Sequence, residues 1–217
     1  MDFKCPDCVQ TALKKYIETG AIGYGMPSDA YYKNFIEWEK NYHKNIVQKE
    51  WIRYAPGVVV AIAWLLEELF QEGDSCIILS PVYGPFFHTT KRRGLHVVTS
   101  ELTNCQGEYT IDFTDFEKKI IDNNVKVFLL CSPHNPIGRV WKKWELEQLV
   151  EICRKHRVFI ISDEIHHDIV LFGNEHIPIL NIGNDYKENI AMLTSPAKSF
   201  NLAGVENSFM ILPGENV

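Results

Sequence analysis

The chain has 217 residues, 46% hydrophobic and 12% aromatic, enough for one sizeable α/β domain with a buried core. Its formal net charge is −6 with Lys and Arg scattered, which excludes the basic stripe of a nucleic-acid-binding surface. No apolar run approaches the ~20 residues that span a bilayer and no signal-peptide layout opens the chain, so a cytoplasmic protein without a membrane partner is expected.

In chain order, residues 8–19 read as an amphipathic helix closed by Gly20. A loop follows, and Ser28 then caps a long helix running through Tyr31 to Asn45. After Pro56 and Gly57, residues 58–71 form an almost continuously apolar helix, expected to be buried on most sides. The middle of the chain repeats one unit. Short apolar runs at 75–80, 95–100, 125–132 and 158–163 suit both faces of a parallel strand, and mixed helices at 113–123 and 144–156 lie between them. A fifth run spans 188–195 and a sixth 207–213. This rhythm predicts a three-layer α/β/α sandwich around a mostly parallel sheet. Residues 1–50 are read as an N-terminal helical segment and loop, and 51–217 as the ligand-binding domain.

The six cysteines are scattered. Cys76, Cys105, Cys131 and Cys153 fall in apolar or helix-like segments and read as free, buried thiols. Cys5 and Cys8 form a C-x-x-C pair, but no second pair at zinc-ligand spacing accompanies it; reduced thiols at a helix start are the simpler reading, and no metal is expected.

In an open α/β sheet, ligands bind at the carboxyl ends of the strands. Polar residues collect there: Tyr83 after 75–80, Ser132 to Gly138 after the third run, Asp163 to Asp168 after the fourth, and Ser195 to Lys198 after the fifth. A buried carboxylate at Asp163 demands a cation or a donor. Lys198, at a strand end among small hydroxyl residues, can become a nucleophilic amine. Taken singly, each also reads as a salt-bridged surface residue. Their set and order tip the balance.

That set resembles the fold-type I pyridoxal-5'-phosphate (PLP) enzymes, specifically the cystathionine β-lyases and C–S lyases of the MalY/PatB type. The resemblance is carried by MDF, GYGMPSDAYY, YAPGVVVAI, SPVYGPF, CSPHNPIGRVW, SDEIHHDIV and SPAKSFNLAG, in order along the chain. It implies that Lys198 holds the cofactor covalently and serves as the base at the substrate Cα, and that Asp163 keeps the pyridine nitrogen protonated. It further implies that Asn135 and His166 lie near the cofactor's phenolic oxygen, with His167 a bystander, and that Tyr83 stacks on the ring. The phosphate would take the N–H groups of Val58 and Val59 and the Ser195 hydroxyl. Tyr24 would reach the partner's site across a homodimer interface. Plainer readings remain beside these: Tyr83 as a core aromatic, Asn135 as a turn residue between prolines, and His166 as a partner of Asp168.

The implied activity is β-elimination from cystathionine or another cysteine S-conjugate to a thiol, pyruvate and ammonia. An aminotransferase using the same residues is the alternative, and a non-catalytic PLP-binding remnant a third. Two departures bear on this. Family members are nearly twice as long, with a C-terminal small domain whose arginine grips the substrate carboxylate, and no arginine here matches that motif. Met1 is accordingly expected to be internal to a longer frame, and the isolated chain to be poorly soluble and largely inactive. Glu206, after Gly204, puts a charge where relatives carry an uncharged residue, and weaker phosphate affinity is expected.

Overall fold

In the computed structural model, residues 3–214 are described; Met1, Asp2 and the final three residues, with the expectations that fell on Met1, lie outside them. Seven strands form one sheet in the order β3-β2-β6-β7-β8-β9-β1. These are β1 (Ile52–Ala55), β2 (Ser75–Ser80), β3 (His96–Glu101), β6 (Val125–Cys131), β7 (Phe159–Asp163), β8 (Ile190–Thr194) and β9 (Ser208–Ile211). A separate hairpin, β4 (Thr103–Cys105) with β5 (Glu108–Thr110), stands apart from it.

Strands β3, β2, β6, β7 and β8 pair in parallel, from Ser75↔His96 to Asp163↔Leu193, with one register shift between β2 and β6 at Ser75/Cys76. β9 is antiparallel to both β8 and β1, so β1 points the same way as the parallel set. The sixth apolar run is therefore a strand, but a reversed one. Because of that reversal, the end of β1, the ends of β6, β7 and β8, and the beginning of β9 all meet at one edge of the sheet.

Two apolar layers flank the sheet, and alternate strand residues feed each, as the pleat requires. One face packs Ala61, Ile62, Leu65 and Leu66 of helix α3 (Val58–Leu69) and Phe86 of α4 (Gly84–Arg92) onto Ile78, Leu129 and Leu193. The other packs Phe116 and Ile120 of α5 (Phe113–Asp122) and Leu146 and Leu149 of α6 (Lys143–His156) onto Ile77, Phe128 and Ile190. Helix α2 (Asp29–His43) joins that second layer, where Phe35 stacks on Phe209 with ring centroids 3.7 Å apart. Ser28 caps α2 as expected, accepting the Tyr31 N–H, and the helix stops two residues early at a left-handed Lys44. Helix α1 (Asp7–Glu18) buries none of its residues. Among the described residues, no helix is long and apolar enough to cross a membrane.

All six cysteines are unpaired. Cys76, Cys131 and Cys153 are buried as expected, but Cys105 is exposed, because it lies on the β4–β5 hairpin rather than in an apolar element.

Candidate active site

The connection from β2 runs outward to β3, whereas that from β6 runs the other way to β7. Such a switch in strand order opens a crevice at the carboxyl edge. A cavity of about 200 Å³ sits at that edge. Its wall includes Val58, Val59, Tyr83, Asn135, Asp163, His166, Ser195 and Lys198, eight of the nine positions singled out from the sequence. The ninth, Tyr24, is fully exposed in the extended segment before α2 and touches no part of the cavity in the single chain.

Asp163 ends β7 and is 5% exposed. Its Oδ1 accepts the Ile165 N–H at 3.1 Å. Burial pushes the carboxyl up to about 7, with that hydrogen bond and the Lys198 charge pulling the other way. A carboxyl so placed is short of a cationic donor, the condition that lets it hold a proton on a basic heterocyclic nitrogen.

Lys198 lies in α7 (Pro196–Ser199), a turn pinned at both ends. At its start, the Ser195 hydroxyl accepts the Ala197 N–H at 3.0 Å and donates to the Asn207 carbonyl at 2.6 Å. At its end, the Ser199 hydroxyl donates to Asp168 Oδ2 at 2.5 Å. Ser195 is thus at the cavity, but its one proton is engaged by the backbone. The Lys198 side chain is exposed.

Asn135 is held by a network that ties three loops together. His134 Nε2 lies 2.9 Å from the Pro81 carbonyl, Trp141 Nε1–H donates to the Cys131 carbonyl at 2.9 Å, and Ser132 N–H donates to the Asp163 carbonyl at 2.9 Å. Arg139 lies over the Trp141 ring at 4.7 Å and pairs with the buried Glu145 at 2.7 Å. The Asn135 N–H donates to Cys131 Sγ at 3.3 Å, and among the described residues its side-chain amide meets no protein partner. Tyr83 occupies the N-cap position of α4 and is partly exposed. Burial, and secondarily Lys198, holds His166 below the ordinary imidazole value, which favours its neutral form.

Helix α3 supplies the fourth wall. Its first turn carries no acidic residue and no side-chain cap, so the N–H groups of Val58 and Val59 are open to an anion. Gly57 makes this entry possible with φ of 156° and ψ of 151°, a conformation reserved for glycine. Gly57→Ala is expected to cost ~1–3 kcal/mol of stability, read by thermal melting, and to weaken anion binding at the helix start. A Cβ at Gly57 would meet no atom within 4 Å, so the cost is one of backbone conformation alone. Glu206 also faces the cavity, with a left-handed backbone, and brings a negative charge to the same wall.

His167 does not line the cavity and faces the opposite way. It is buried, with Nδ1 2.9 Å from Thr194 Oγ1 and Nε2 3.2 Å from Asp168 Oδ1. Asp168 pairs with His43 and His167 rather than with His166. Beyond the adjacent Asp168, the partners of His167 come from α2 and β8, far away in the sequence, and the E-x-x-x-H spacing of Glu39 and His43 is the one sequence signal that points to the first of them.

A mostly parallel sheet with a lysine, a buried aspartate and an open helix start at one edge defines a family of cofactor-dependent enzymes. The chain belongs to the aminotransferase class I and II family, whose model matches residues 4–206. It is 37% identical over 213 residues to cystathionine beta-lyase PatB of Bacillus subtilis, covering 98% of this chain and 55% of that protein. Cystalysin from Treponema denticola, whose crystal structure contains a pyridoxal 5'-phosphate cofactor, superposes with a TM-score of 0.96 at 39% identity over 100% of this chain and 55% of that one. The PLP-bound C–S lyase from Staphylococcus hominis gives a TM-score of 0.96 at 35% identity, over 99% and 55% of the two chains. The chain therefore spans about half the length of the relatives it matches.

Proposed function

We propose that this chain is the PLP-holding part of a carbon–sulfur β-lyase acting on cystathionine or another cysteine S-conjugate. The observation that carries the reading is the buried, under-donated Asp163 facing the same cavity as Lys198 and the open start of α3. That donor set fits PLP: a carboxylate for the pyridinium, free N–H groups for the phosphate, an amine for the aldehyde carbon and an unpartnered amide at Asn135 for the phenolic oxygen. Tyr83 and His166 complete the lining, with Ser195 shaping the phosphate end through the backbone it fixes.

When bound, PLP supplies an electron sink that makes the substrate Cα proton removable. Asp163 holds positive charge at the ring nitrogen, strengthening that sink. Lys198 takes the proton from Cα. The Cβ–S bond then breaks, the sulfur leaves as a thiol, and the net uptake of one water yields pyruvate and ammonium.

The resemblance to C–S lyases in sequence and fold supports elimination over transamination. The reading includes a homodimer in which the exposed Tyr24 reaches the partner's cavity, a division of the chain near residue 51, and work in the reducing cytoplasm, which six unpaired cysteines support. The deciding assay supplies a cysteine S-conjugate with PLP and no keto acid. Thiol, pyruvate and ammonium in equal amounts are expected. Product formed only when a keto acid is added converts the reading to transamination. Neither product, from protein that carries PLP on Lys198, leaves a cofactor-binding role without lyase chemistry.

A further inference from the structure

Beneath the Lys198 turn, α2 and the segment after β7 bring together a second group of ionisable side chains that the proposed reaction does not use. Glu39 and His43 are four residues apart on α2 and share a face. His167 and Asp168 approach that face from the other side. Glu39 is completely buried, and the side chains of His167, His43 and Asp168 are 3%, 7% and 13% exposed.

The donor atoms converge. His43 Nε2 is 2.7 Å from Asp168 Oδ1, and His167 Nε2 is 3.2 Å from that oxygen and 3.6 Å from Glu39 Oε1. One ligand-type atom from each of Glu39, His43 and His167 lies within 4.8 Å of the others. Glu39 Oε1 is buried and accepts no hydrogen bond, although Oε2 takes the Asn45 amide at 2.8 Å. A buried carboxylate oxygen without a donor is costly and calls for a ligand.

The backs of these groups are already held. His167 Nδ1 meets Thr194 Oγ1, Asp168 Oδ2 accepts from Ser199, and Asp168 Oδ1 also accepts the Trp38 Nε1–H at 2.9 Å. Partners of this kind orient metal ligands and raise their basicity.

We propose that Glu39, His43, His167 and Asp168 form a binding site for a divalent transition-metal ion of the zinc class. Tetrahedral coordination at bond lengths of about 2.0–2.2 Å places ligand atoms ~3.3 Å apart. The separations of 2.7, 3.2 and 3.6 Å straddle that value. Glu39, His43 and His167 lie within 4.8 Å of one another and Asp168 falls outside that group, so side-chain rotations of about an ångström must close the set around the ion. Two carboxylates, two neutral imidazoles and a dication sum to zero charge, which suits a buried site. Two imidazole nitrogens select against magnesium and calcium, which prefer oxygen and higher coordination numbers. A cavity of about 270 Å³ lined by Trp38, Glu39, His167 and Asp168 gives the ion a way in. With four protein ligands the site is closed, so the ion is structural. It ties α2 to the segment after β7 and, through Asp168 and Ser199, to the turn that carries Lys198.

The test is a titration of the full chain, freed of metal by a chelator, with Co²⁺ as a visible probe for the zinc site. One equivalent is expected to develop the intense visible absorption of tetrahedral Co²⁺. Zn²⁺ should displace it and raise the melting temperature. His167→Asn and Glu39→Gln should each lose the band while still melting cooperatively. Cys5→Ser/Cys8→Ser should keep it, since thiolate ligation announces itself by an added near-ultraviolet charge-transfer band. Absence of the visible band in the wild-type chain overturns the proposal. So does a band that survives both His167→Asn and Glu39→Gln, or one that vanishes with the two cysteines. The wild-type titration decides even if a variant fails to fold.

Discussion

Lys198→Ala is expected to abolish covalent retention of PLP and to lower any lyase activity by at least about 10³-fold. A positioned general base alone contributes about 10²–10⁴-fold, and the same amine is also the covalent anchor. The fold should hardly notice. Lys198 is exposed, and the turn that presents it is fixed by Ser195 at one end and Ser199 at the other, neither of which uses the lysine side chain. A surface change of this kind shifts stability by about 0.5 kcal/mol or less. Borohydride reduction with PLP, followed by peptide mapping, reads the effect directly. The wild-type chain should carry one pyridoxyl group, on Lys198, and the alanine variant none. Label spread over many lysines in the wild type would mean that the cavity does not single out this amine, and the assignment of Lys198 would fall.

That lysine is legible in the sequence, while other parts of the site are not, for physical reasons. Strands β2, β6, β7 and β8 are largely apolar on both faces because helices cover both, so each appears in the sequence as an oily run ending in a polar group. Asp163, Asn135 and Lys198 stand at those abrupt ends, and the parallel pairing brings them to one edge. β1 has no such signature. Arg53 and Tyr54 face outward, and its place is set only by pairing with β9 across more than 150 residues. The direction of β9 is likewise a property of the sheet and not of its own apolar run. Helix α4 begins Gly84-Pro85 and reads as a turn until Phe86 finds its buried place. The network around His167 is hidden from the sequence for the same reason. Its neighbours in sequence line the cavity, but its own contacts are Glu39, Asp168 and Thr194, two of them supplied by distant elements. Proximity to Ser195 was legible, whereas the commitment of its proton to the Asn207 carbonyl was not.

Asp163→Asn separates electrostatic function from stability, because the two should move in opposite directions. Asparagine keeps the shape but cannot carry the negative charge that holds a ring nitrogen protonated. Losing one preorganised electrostatic partner of this kind costs roughly 10²–10³-fold in rate. In the cofactor-free protein the same change should stabilise. The buried carboxyl titrates at about 7 when folded, against an ordinary 3.8, so between these values the folded state binds more protons than the unfolded chain. Stability contributed by this group is therefore present below pH 3.8 and drains away as pH rises towards 7. The difference corresponds to an upper limit of roughly 4 kcal/mol above that window. Melting curves of the cofactor-free proteins should thus show the variant gaining on the wild type as pH rises from about 4 to 7, with a plateau beyond. Added PLP should narrow that gap by giving the wild-type carboxylate its cation, while the variant gains only what the phosphate contacts provide. A melting difference that does not change with pH would mean that Asp163 is solvated or already paired, and the cation-holding role assigned to it would have to be given up.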